Sequence, residues 1–218
     1  CRLAQVAGSA IEGIRLTGFN AEAKADQTPV TEADIASDRI LRRGLLEAFP
    51  NDSLLSEESE DHHRSSNRTW IIDPLDGTRG FISDVEGYAV QIGLVEDETP
   101  VLGVVYEPRH GRLYSATRHH GAFLSAQGVT HQLKVSSRSD FASMTMVASS
   151  SLAREKRQWL TEHLGLSAGI AMRSVGSKGG ALVRHVADIY VSSHPVKYWD
   201  SCGPLVILEE AGGAWTHL

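Results

Sequence analysis

The feature that most constrains this chain is a short apolar run that ends in two aspartates on a stiff turn. Residues 70–72 (Trp-Ile-Ile) favour β-structure and predict a buried strand that ends at residue 72. Asp73 would then leave the strand, Pro74 fixes φ, and Gly77 permits a tight reversal. The turn therefore holds the carboxylates of Asp73 and Asp76 on one side, where paired carboxylates can bind a hard divalent cation.

The residues after this turn are typical of an anion site. The backbone N–H groups of Gly77 and Thr78 are expected to open a helix, and free amides there can hold a phosphate. Together, the carboxylates and the amides indicate metal-assisted phosphate chemistry. Residues 73–77 (Asp-Pro-Leu-Asp-Gly) are also typical of a plain β-turn. The choice between the two depends on whether other carboxylates occur where a metal site needs them.

The composition allows a sizeable core and limits the partners. The chain has 218 residues, 41% hydrophobic and 22% charged, with a formal net charge of −6, enough for one large or two small domains. This acidic balance argues against polymeric nucleic acid as a partner, but a small phosphorylated substrate remains compatible because bound cations reverse the local field. No apolar run approaches a membrane span and no signal pattern opens the chain, so we expect no membrane partner. Cys1 and Cys202 form no motif, which favours a reducing cytoplasm and no disulfide.

The first part of the chain predicts two helices and an antiparallel sheet. Apolar residues at helical spacing predict one helix over residues 1–17 and another from Thr31 to just before Pro50, separated by a polar, irregular segment at residues 19–30. Runs typical of strands occur at residues 54–55, 88–95, 101–106, 112–116, 122–124 and 131–135. The short turns between consecutive strands imply an antiparallel sheet, which the two helices could cover.

A polar segment at residues 136–140 breaks this pattern, and we place a boundary between residues 137 and 138. Beyond it the chain alternates between strands (145–148, 170–173, 189–191) and helices (154–164, one opening at 176–178, and 198–211). Such alternation favours an α/β layer arrangement. We therefore predict an N-terminal half, residues 1–137, that carries the antiparallel sheet and most metal ligands. The C-terminal α/β half, residues 138–218, would supply Asp200 and the substrate pocket.

Three further acidic residues lie at the ends of predicted elements. Each has a simpler interpretation when it is considered alone. Asp34 follows Thr31 at the spacing of a helix capping box, and Asp200 is a good helix N-cap. Glu57 belongs to a pair of glutamates of the kind that usually forms a solvated surface. Beside the phosphate-ready turn and its two aspartates, these simpler interpretations weaken.

The combination resembles the inositol monophosphatase-like superfamily of metal-dependent, lithium-sensitive phosphatases. The matching segments are residues 29–34 (Pro-Val-Thr-Glu-Ala-Asp), 56–59 (Ser-Glu-Glu-Ser), 73–78 (Asp-Pro-Leu-Asp-Gly-Thr) with Phe81, and Trp199 and Asp200 with 210–213 (Glu-Ala-Gly-Gly). They occur in the family's order and cover nearly the whole chain. The resemblance implies a layered αβαβα sandwich of the inositol monophosphatase and fructose-bisphosphatase type, of the α+β or α/β class, and it is compatible with a homodimer.

The resemblance also implies roles by matched position. The ligands of two or three Mg²⁺ ions would be Glu57, Asp73, the carbonyl of Leu75, Asp76 and Asp200. Asp34 and Thr78 would orient and deprotonate the attacking water, with Glu57 assisting, and the amides of Gly77 and Thr78 would hold the phosphate. Because water near a cation loses its proton more readily, the expected reaction is phosphomonoester hydrolysis without a covalent intermediate.

Several residues favour a substrate with two phosphates. Residues 24–34 (Lys-Ala-Asp-Gln-Thr-Pro-Val-Thr-Glu-Ala-Asp) resemble the lead of the 3′(2′),5′-bisphosphate nucleotidase (CysQ-like) branch, and Arg79 follows the Asp-Gly-Thr as it tends to there. Inositol-hydrolysing members usually place an acid several positions before the Trp-Asp pair, whereas residues 193–197 contain no acid and end in Lys197. Lys178, at a predicted helix start beside Ser177, is a second cation that suits a second phosphate.

Other features leave alternatives open. Ser177 is equally well explained as a helix N-cap, and residues 173–177 (Arg-Ser-Val-Gly-Ser) resemble the inositol branch as much as the nucleotidase branch. Residues 202–204 (Cys-Gly-Pro) also replace the usual Ala-Ala-Gly. We therefore predict a bisphosphate nucleotidase, with an inositol or sugar monophosphatase as the alternative. A non-catalytic regulatory member of the family is a third hypothesis, which the complete acidic set disfavours.

Overall fold

The computed structural model describes residues 1–24, 27–84, 87–192 and 195–216. The helices in these ranges are α1 (Arg2–Thr17), α2 (Glu32–Ala48), α3 (Thr78–Ile82), α4 (Arg154–His163), α5 (Val175–Val183) and α6 (Tyr198–Glu210). The strands are β1 (Ala21–Ala23), β2 (Pro29–Thr31), β3 (Ser53–Ser56), β4 (Arg68–Asp76), β5 (Ala89–Glu96), β6 (Thr99–Glu107), β7 (Arg112–Thr117), β8 (Ala122–Ala126), β9 (Val129–Leu133), β10 (Thr145–Ser149), β11 (Ala168–Met172) and β12 (Ile189–Val191). Four residues used in the sequence analysis lie outside the described ranges. They are Ala25 and Asp26, in the segment that resembles the nucleotidase branch, and Ser193 and His194, which precede Lys197. Within those four ranges, every helix is too short or too polar to cross a bilayer.

The two N-terminal helices form as predicted. In α1, Ala4, Ala7 and Ile11 recur at helical spacing and are fully buried. Helix α2 begins after Thr31, whose hydroxyl oxygen accepts a hydrogen bond from the amide of Ala33, and the Asp34 side chain reaches back to the Thr31 amide. This reciprocal arrangement satisfies two of the free amides at the helix start.

Seven strands form one sheet in the order β3-β4-β5-β6-β7-β8-β9. Neighbours from β4 to β9 pair antiparallel, as predicted from the short turns between them. Strand β3 instead pairs parallel to β4 at the sheet edge. The reason is the longer connection between these two strands, since a parallel pair needs a crossover rather than a tight turn.

The prediction of an irregular segment at residues 19–30 is wrong in part. Strands β1 and β2 pair antiparallel there, with Glu22 opposite Val30. The residues of β1 are all exposed and lack an apolar face, so alternation of apolar and polar residues could not reveal this short hairpin.

The helices and sheets stack in layers. One apolar cluster joins α1 and α2 to one face of the seven-stranded sheet, for example Ile11 and Leu41 with Ile92. A second cluster joins the opposite face to α5 and α6, and it includes Val147 of the three-stranded sheet β11-β10-β12. Met146, on the other face of β10, packs in a third cluster that Leu160 of α4 contacts. The order is therefore helix, sheet, helix, sheet, helix, which confirms the predicted αβαβα sandwich.

Strand β9 ends at Leu133 and β10 starts at Thr145, on either side of the expected boundary between residues 137 and 138. Across this junction, the Asp188 carboxylate accepts hydrogen bonds from Ser136, from Arg138 at 3.0 Å and from the Thr145 amide at 2.9 Å. Helices α5 and α6 of the second half share a core with the first. We propose that residues 1–137 and 138–218 are two halves of one packed unit.

Candidate active site

Strand β4 continues through Asp76 and does not end at Ile72 as predicted, because Asp73 still pairs with Gln91 and Asp76 pairs with Ala89. Three steps along β4 thus match two steps along β5, which is a β-bulge. Residues three apart in a regular strand point to opposite faces. The bulge restores the alternation, so the carboxylates of Asp73 and Asp76 emerge on the same face. Pro74 lies in the irregular part, where its missing N–H is tolerated.

Asp200 joins this pair from α6. One carboxylate oxygen from each of Asp73, Asp76 and Asp200 lies within 4.8 Å of the other two. Asp73 and Asp76 are buried, and Asp73 Oδ2 has no hydrogen-bond partner among the described residues. A buried carboxylate oxygen without a donor needs a compensating charge. Three carboxylates at this separation fit a hard divalent cation, so the cluster can hold a metal ion.

The sequence suggested Asp200 as the N-cap of α6, but the structure places it inside the helix. The helix begins at Tyr198 after Lys197, and Asp200 Oδ2 accepts a hydrogen bond of 3.0 Å from the Lys197 amide. Asp200 therefore caps the helix from its third position. The helix lies unusually close to the sheet, because a Cβ on Gly103 would stand 2.2 Å from the carbonyl oxygen of Gly203. Gly203 belongs to the segment that departs from the usual Ala-Ala-Gly.

Burial and mutual repulsion raise the pKa of these carboxylates. Burial raises the pKa of Asp73 well above its usual range, and the charges of Glu57, Asp76 and Asp200 add to this effect. Burial likewise raises the pKa of Asp76, of Asp200 to about 6 and of Glu57 to about 7. The site thus concentrates negative charge in a poorly solvated place, which a bound cation would relieve.

Glu57 lies beside the three-aspartate cluster, near enough for the charges of Asp76 and Asp200 to raise its pKa. The ammonium of Lys24 stands 3.4 Å from Glu57 Oε1 and 2.6 Å from Glu58 Oε1. The Glu58 side chain is only 3% exposed. The two glutamates therefore do not form the solvated surface that such pairs usually form, and Lys24 supplies their counter-charge.

The contacts of Asp34 are compatible with both interpretations that the sequence left open. Its Oδ2 accepts hydrogen bonds from the Thr31 amide at 2.8 Å and the Thr31 hydroxyl at 2.6 Å, which is the cap of α2. Its Oδ1 accepts a hydrogen bond of 2.9 Å from the hydroxyl of Thr78. That hydroxyl also stands 3.2 Å from the carbonyl oxygen of Leu75. Burial raises the pKa of Asp34, while these hydrogen bonds lower it.

The turn that leads into α3 requires glycine. Gly77 has φ of 93°, and a Cβ at this position would lie 2.6 Å from the carbonyl oxygen of Gly87. Helix α3 starts at Thr78. The first N–H groups of a helix have no acceptor within it, which is the basis for the expected phosphate contacts of the Gly77 and Thr78 amides.

The cap of α5 differs from the prediction. Ser174 is the N-cap, and its hydroxyl oxygen accepts a hydrogen bond of 2.9 Å from the Ser177 amide. Ser177 is therefore inside the helix. Its hydroxyl oxygen is buried and has no hydrogen-bond partner in the described part of the chain.

The two lysines predicted to bind substrate differ in burial. Lys178 is 2% exposed, its ammonium donates a hydrogen bond of 3.2 Å to the carbonyl oxygen of Arg173, and it lies 5.0 Å from the centre of the Tyr190 ring. Burial lowers the pKa of Lys178, whereas attraction to Asp76 and Asp200 raises it, so the ammonium lies within electrostatic reach of the cluster. Lys197 is exposed at the start of α6.

Sequence reasoning missed two side chains that contact Asp76. The Gln91 amide nitrogen and the Ser174 hydroxyl donate hydrogen bonds of 2.7 Å and 2.5 Å to Asp76 Oδ2. A signal for Gln91 was available, because it is the one strongly polar residue in the apolar run 88–95. A polar side chain in the middle of a buried strand is unusual and calls for a partner.

Comparison with known proteins identifies the family. The model of the inositol monophosphatase family matches residues 1–218. Histidinol-phosphatase of Chlorobaculum parvum is 34% identical over 190 residues, covering 87% of this chain and 73% of that protein. The 3′(2′),5′-bisphosphate nucleotidase CysQ of Aggregatibacter actinomycetemcomitans is 32% identical over 216 residues, covering 97% and 80%.

The fold has close structural counterparts. The crystal structure of the extragenic suppressor protein suhB from Bartonella henselae superposes with a TM-score of 0.84 over 97% of this chain and 83% of that one, at 23% identity. The sequence match covers every residue, and the relatives share the phosphatase activity that their names state. This chain therefore belongs to the inositol monophosphatase family and is a phosphatase.

Proposed function

We propose that this phosphatase is a Mg²⁺-dependent 3′(2′),5′-bisphosphate nucleotidase that converts adenosine 3′,5′-bisphosphate to AMP and phosphate. The observation that carries the proposal is the convergence of Asp73, Asp76 and Asp200 beside the hydrogen bond between Thr78 and Asp34. A cation site next to a proton acceptor and free amides provides what hydrolysis of a phosphate ester needs.

The cation ligands in this proposal are all oxygens, which suits Mg²⁺. They are Glu57, Asp73, the carbonyl of Leu75, Asp76 and Asp200, and together they would hold two or three ions. Bound cations supply positive charge that acidifies water and offsets the charge on the attacking and leaving oxygens. Inhibition by lithium, a cytoplasmic location and a homodimeric assembly belong to the same proposal.

The chain's own residues handle the proton. Because the Thr78 hydroxyl donates to Asp34 Oδ1, its lone pairs remain free to accept a hydrogen bond from the attacking water. As the water oxygen attacks phosphorus, its proton passes to Thr78 Oγ while the Thr78 proton moves to Asp34, and Glu57 assists as a second acceptor. The ester P–O bond breaks, and the leaving oxygen takes a proton from solvent water. The amides of Gly77 and Thr78 bind the phosphate oxygens.

The preference for a second phosphate rests on cationic side chains near the cluster. The ammonium of Lys178 is within electrostatic reach of Asp76 and Asp200, and Lys197 precedes Asp200 on the exposed side. A buried ammonium beside a phosphoryl site favours an anionic substituent on the substrate. Ser177, whose buried hydroxyl has no partner in the described residues, can add a hydrogen bond to the same substrate.

A second candidate comes from the relatives. The 34% identity to a histidinol-phosphatase favours the phosphate ester of an amino alcohol. The positive charges of Lys178 and Lys197 argue against it, because such an alcohol is itself a cation. An inositol or sugar phosphate is a third candidate, and the described residues before Trp199, at positions 195–198, contain no acid to bind its hydroxyls.

The test is phosphate release by the purified protein with Mg²⁺ from four substrates side by side. These are adenosine 3′,5′-bisphosphate, histidinol phosphate, inositol 1-phosphate and fructose 1,6-bisphosphate. We expect kcat/KM for the first to exceed the others by at least about tenfold, which corresponds to about 1.4 kcal/mol. A better rate with another substrate contradicts the nucleotidase assignment.

The metal part of the proposal has its own control. Asp76→Asn should nearly abolish turnover and leave the circular dichroism spectrum unchanged, because the amide fills the same space without the charge. Activity of Asp76→Asn close to that of the wild type would contradict metal-assisted hydrolysis. No phosphate release from any substrate by the wild type would favour the regulatory hypothesis.

A further inference from the structure

Gln91 is a buried polar residue in the middle of β5, at 1% exposure. Its amide nitrogen donates a hydrogen bond of 2.7 Å to Asp76 Oδ2. Its carbonyl oxygen, Oε1, is buried and has no hydrogen-bond partner among the described residues. An unpartnered buried carbonyl costs free energy that an apolar side chain would avoid. Gln91 is therefore a poor choice for packing alone.

Three donors converge on the same oxygen of Asp76. Besides Gln91, the Ser174 hydroxyl and the Gly176 amide donate to Oδ2, at 2.5 Å and 2.7 Å. A carboxylate oxygen has about two lone-pair sites, so three donors saturate it. A cation at the cluster must then be bound by the other oxygen, Oδ1. The three donors together fix which oxygen of Asp76 faces the cation.

The orientation of the Gln91 amide follows from its surroundings. Gln91 lies opposite Asp73 in the β4–β5 register, and its side chain emerges on the same face of the sheet. From there it reaches Asp76 across the bulge. A Cβ on Gly176 would lie 3.2 Å from Gln91 Cδ, so the start of α5 closes over the amide. Because a carboxylate only accepts, the nitrogen must face Asp76 and Oε1 must face away.

We infer that Gln91 is a positioning residue that holds Asp76 in the orientation in which Oδ1 faces the cation. The inference rests on the proposed function, because it assigns a role toward the metal that the function requires. Gln91 acts through Asp76 and does not contact the substrate. Residues that hydrogen-bond to a metal ligand orient that ligand and tune the affinity for the metal. The unpartnered Oε1 of Gln91 lowers stability, and the preoriented Asp76 carboxylate offsets this loss when a cation binds.

The test replaces Gln91 with methionine, which has nearly the same length and no donor. In Gln91→Met, the Mg²⁺ concentration for half-maximal activity should rise at least about tenfold, while kcat at saturating Mg²⁺ falls less. Binding of Mn²⁺ without substrate, measured by electron paramagnetic resonance, should weaken by a similar factor. The melting temperature in EDTA should change little, because the lost hydrogen bond to Asp76 and the removal of the unpartnered oxygen have opposite effects on stability.

A matched control is Ile92→Met on the same strand. Ile92 is also buried, at 3% exposure, but it packs on the opposite face in the cluster with α1 and α2. This variant should leave the Mg²⁺ dependence unchanged. Should Gln91→Met fail to fold, Gln91→Asn keeps the amide but is too short to reach Asp76, and it should show the same loss of Mn²⁺ affinity.

The outcomes separate this inference from the proposed function. An active wild type combined with unchanged Mg²⁺ and Mn²⁺ midpoints in Gln91→Met overturns the role of Gln91 alone. A lower melting temperature in EDTA with unchanged midpoints does the same, since it assigns Gln91 to packing. A wild type that binds Mn²⁺ but hydrolyses no phosphoester overturns the proposed function and leaves the role of Gln91 to the Mn²⁺ comparison. A wild type that binds no Mn²⁺ overturns both.

Discussion

The hydroxyl of Thr78 donates a hydrogen bond of 2.9 Å to Oδ1 of Asp34, a residue 44 positions earlier in the chain. The other oxygen of the same carboxylate caps α2 by accepting from Thr31. One aspartate thus connects the starts of α2 and α3. The orientation of the proposed proton acceptor therefore depends on a helix cap.

The Thr78–Asp34 hydrogen bond gives the first prediction. Thr78→Val keeps the side-chain shape but removes the hydroxyl, and kcat should fall by about 10²–10⁴-fold, the usual contribution of a positioned proton acceptor. Thr78→Ser retains the hydroxyl and should stay within about tenfold of the wild type. Steady-state phosphate release measures both variants. Equal activities of the valine and serine variants would remove Thr78 from the proton path.

The position of Asp200 gives the second prediction. Asp200→Asn can still accept the hydrogen bond from the Lys197 amide, so the start of α6 is retained. Loss of the charge should lower activity by at least about 100-fold and reduce the rise in melting temperature on addition of Mg²⁺. Glu209→Gln, an exposed acid on the same helix, is the control and should change neither quantity. An Mg²⁺-induced shift as large in Asp200→Asn as in Glu209→Gln would exclude Asp200 as a ligand.

The pH dependence of the metal-free protein gives the third prediction. Burial raises the pKa of Glu57 from 4.5 to about 7 and that of Asp200 from 3.8 to about 6. A raised pKa means that the folded protein binds the proton more tightly than the unfolded chain. This contribution to stability is complete below 4.5 for Glu57 and is lost as the pH rises through about 7.

The melting temperature in EDTA should therefore decline between about pH 5 and about pH 8, and Glu57→Gln should remove part of the decline. Mg²⁺ should stabilise the protein more at the higher pH, because deprotonated carboxylates bind it better. The comparison of the two proteins cancels the other titrating groups. An identical slope in the wild type and Glu57→Gln would show that Glu57 does not titrate in this range.

The ion pair between Lys24 and Glu58 gives the fourth prediction. Glu58 is nearly buried and Lys24 is partly exposed, with 2.6 Å between Nζ and Oε1. Lys24→Met leaves the Glu58 carboxylate without this cation and should lower the free energy of unfolding by about 2 kcal/mol, less than for a fully buried pair. Adding Glu58→Gln should restore part of the loss. Urea unfolding of the wild type, both single variants and the double variant measures the coupling free energy. If the two single changes in unfolding free energy add up to that of the double variant, the ion pair does not contribute to stability.

The buried ammonium of Lys178 gives the fifth prediction. A hydrogen bond to a charged group contributes about 1.5–3 kcal/mol, which corresponds to about 10–100-fold in rate. In Lys178→Met we expect kcat/KM for adenosine 3′,5′-bisphosphate to fall by this factor, with a smaller loss for inositol 1-phosphate. Methionine fills similar space, so the melting temperature reports packing separately. An equal loss for both substrates would assign Lys178 to the fold or to the reacting phosphate.

Much of the fold could be predicted because it depends on local patterns. Helices α1 and α2 follow from apolar spacing and from the cap at Thr31, and the strands of the antiparallel sheet follow from apolar runs between short turns. The errors occur where no apolar pattern marks a strand and where two nearby serines could each cap a helix. Strand β1 has no apolar face, and Ser174 rather than Ser177 caps α5.

The sequence by itself determined which residues can carry the chemistry: the Asp-Pro-Leu-Asp-Gly-Thr turn with its glycine, and three further acids at the ends of predicted elements. Only the tertiary structure decided how they meet. The direction of Asp76 depends on a bulge against β5, and the approach of Asp200 depends on glycine contacts between α6 and the sheet. The physical reason is that a side chain's direction within a sheet is set by register with the neighbouring strand. Register depends on pairing with a strand that no local pattern connects to the aspartates.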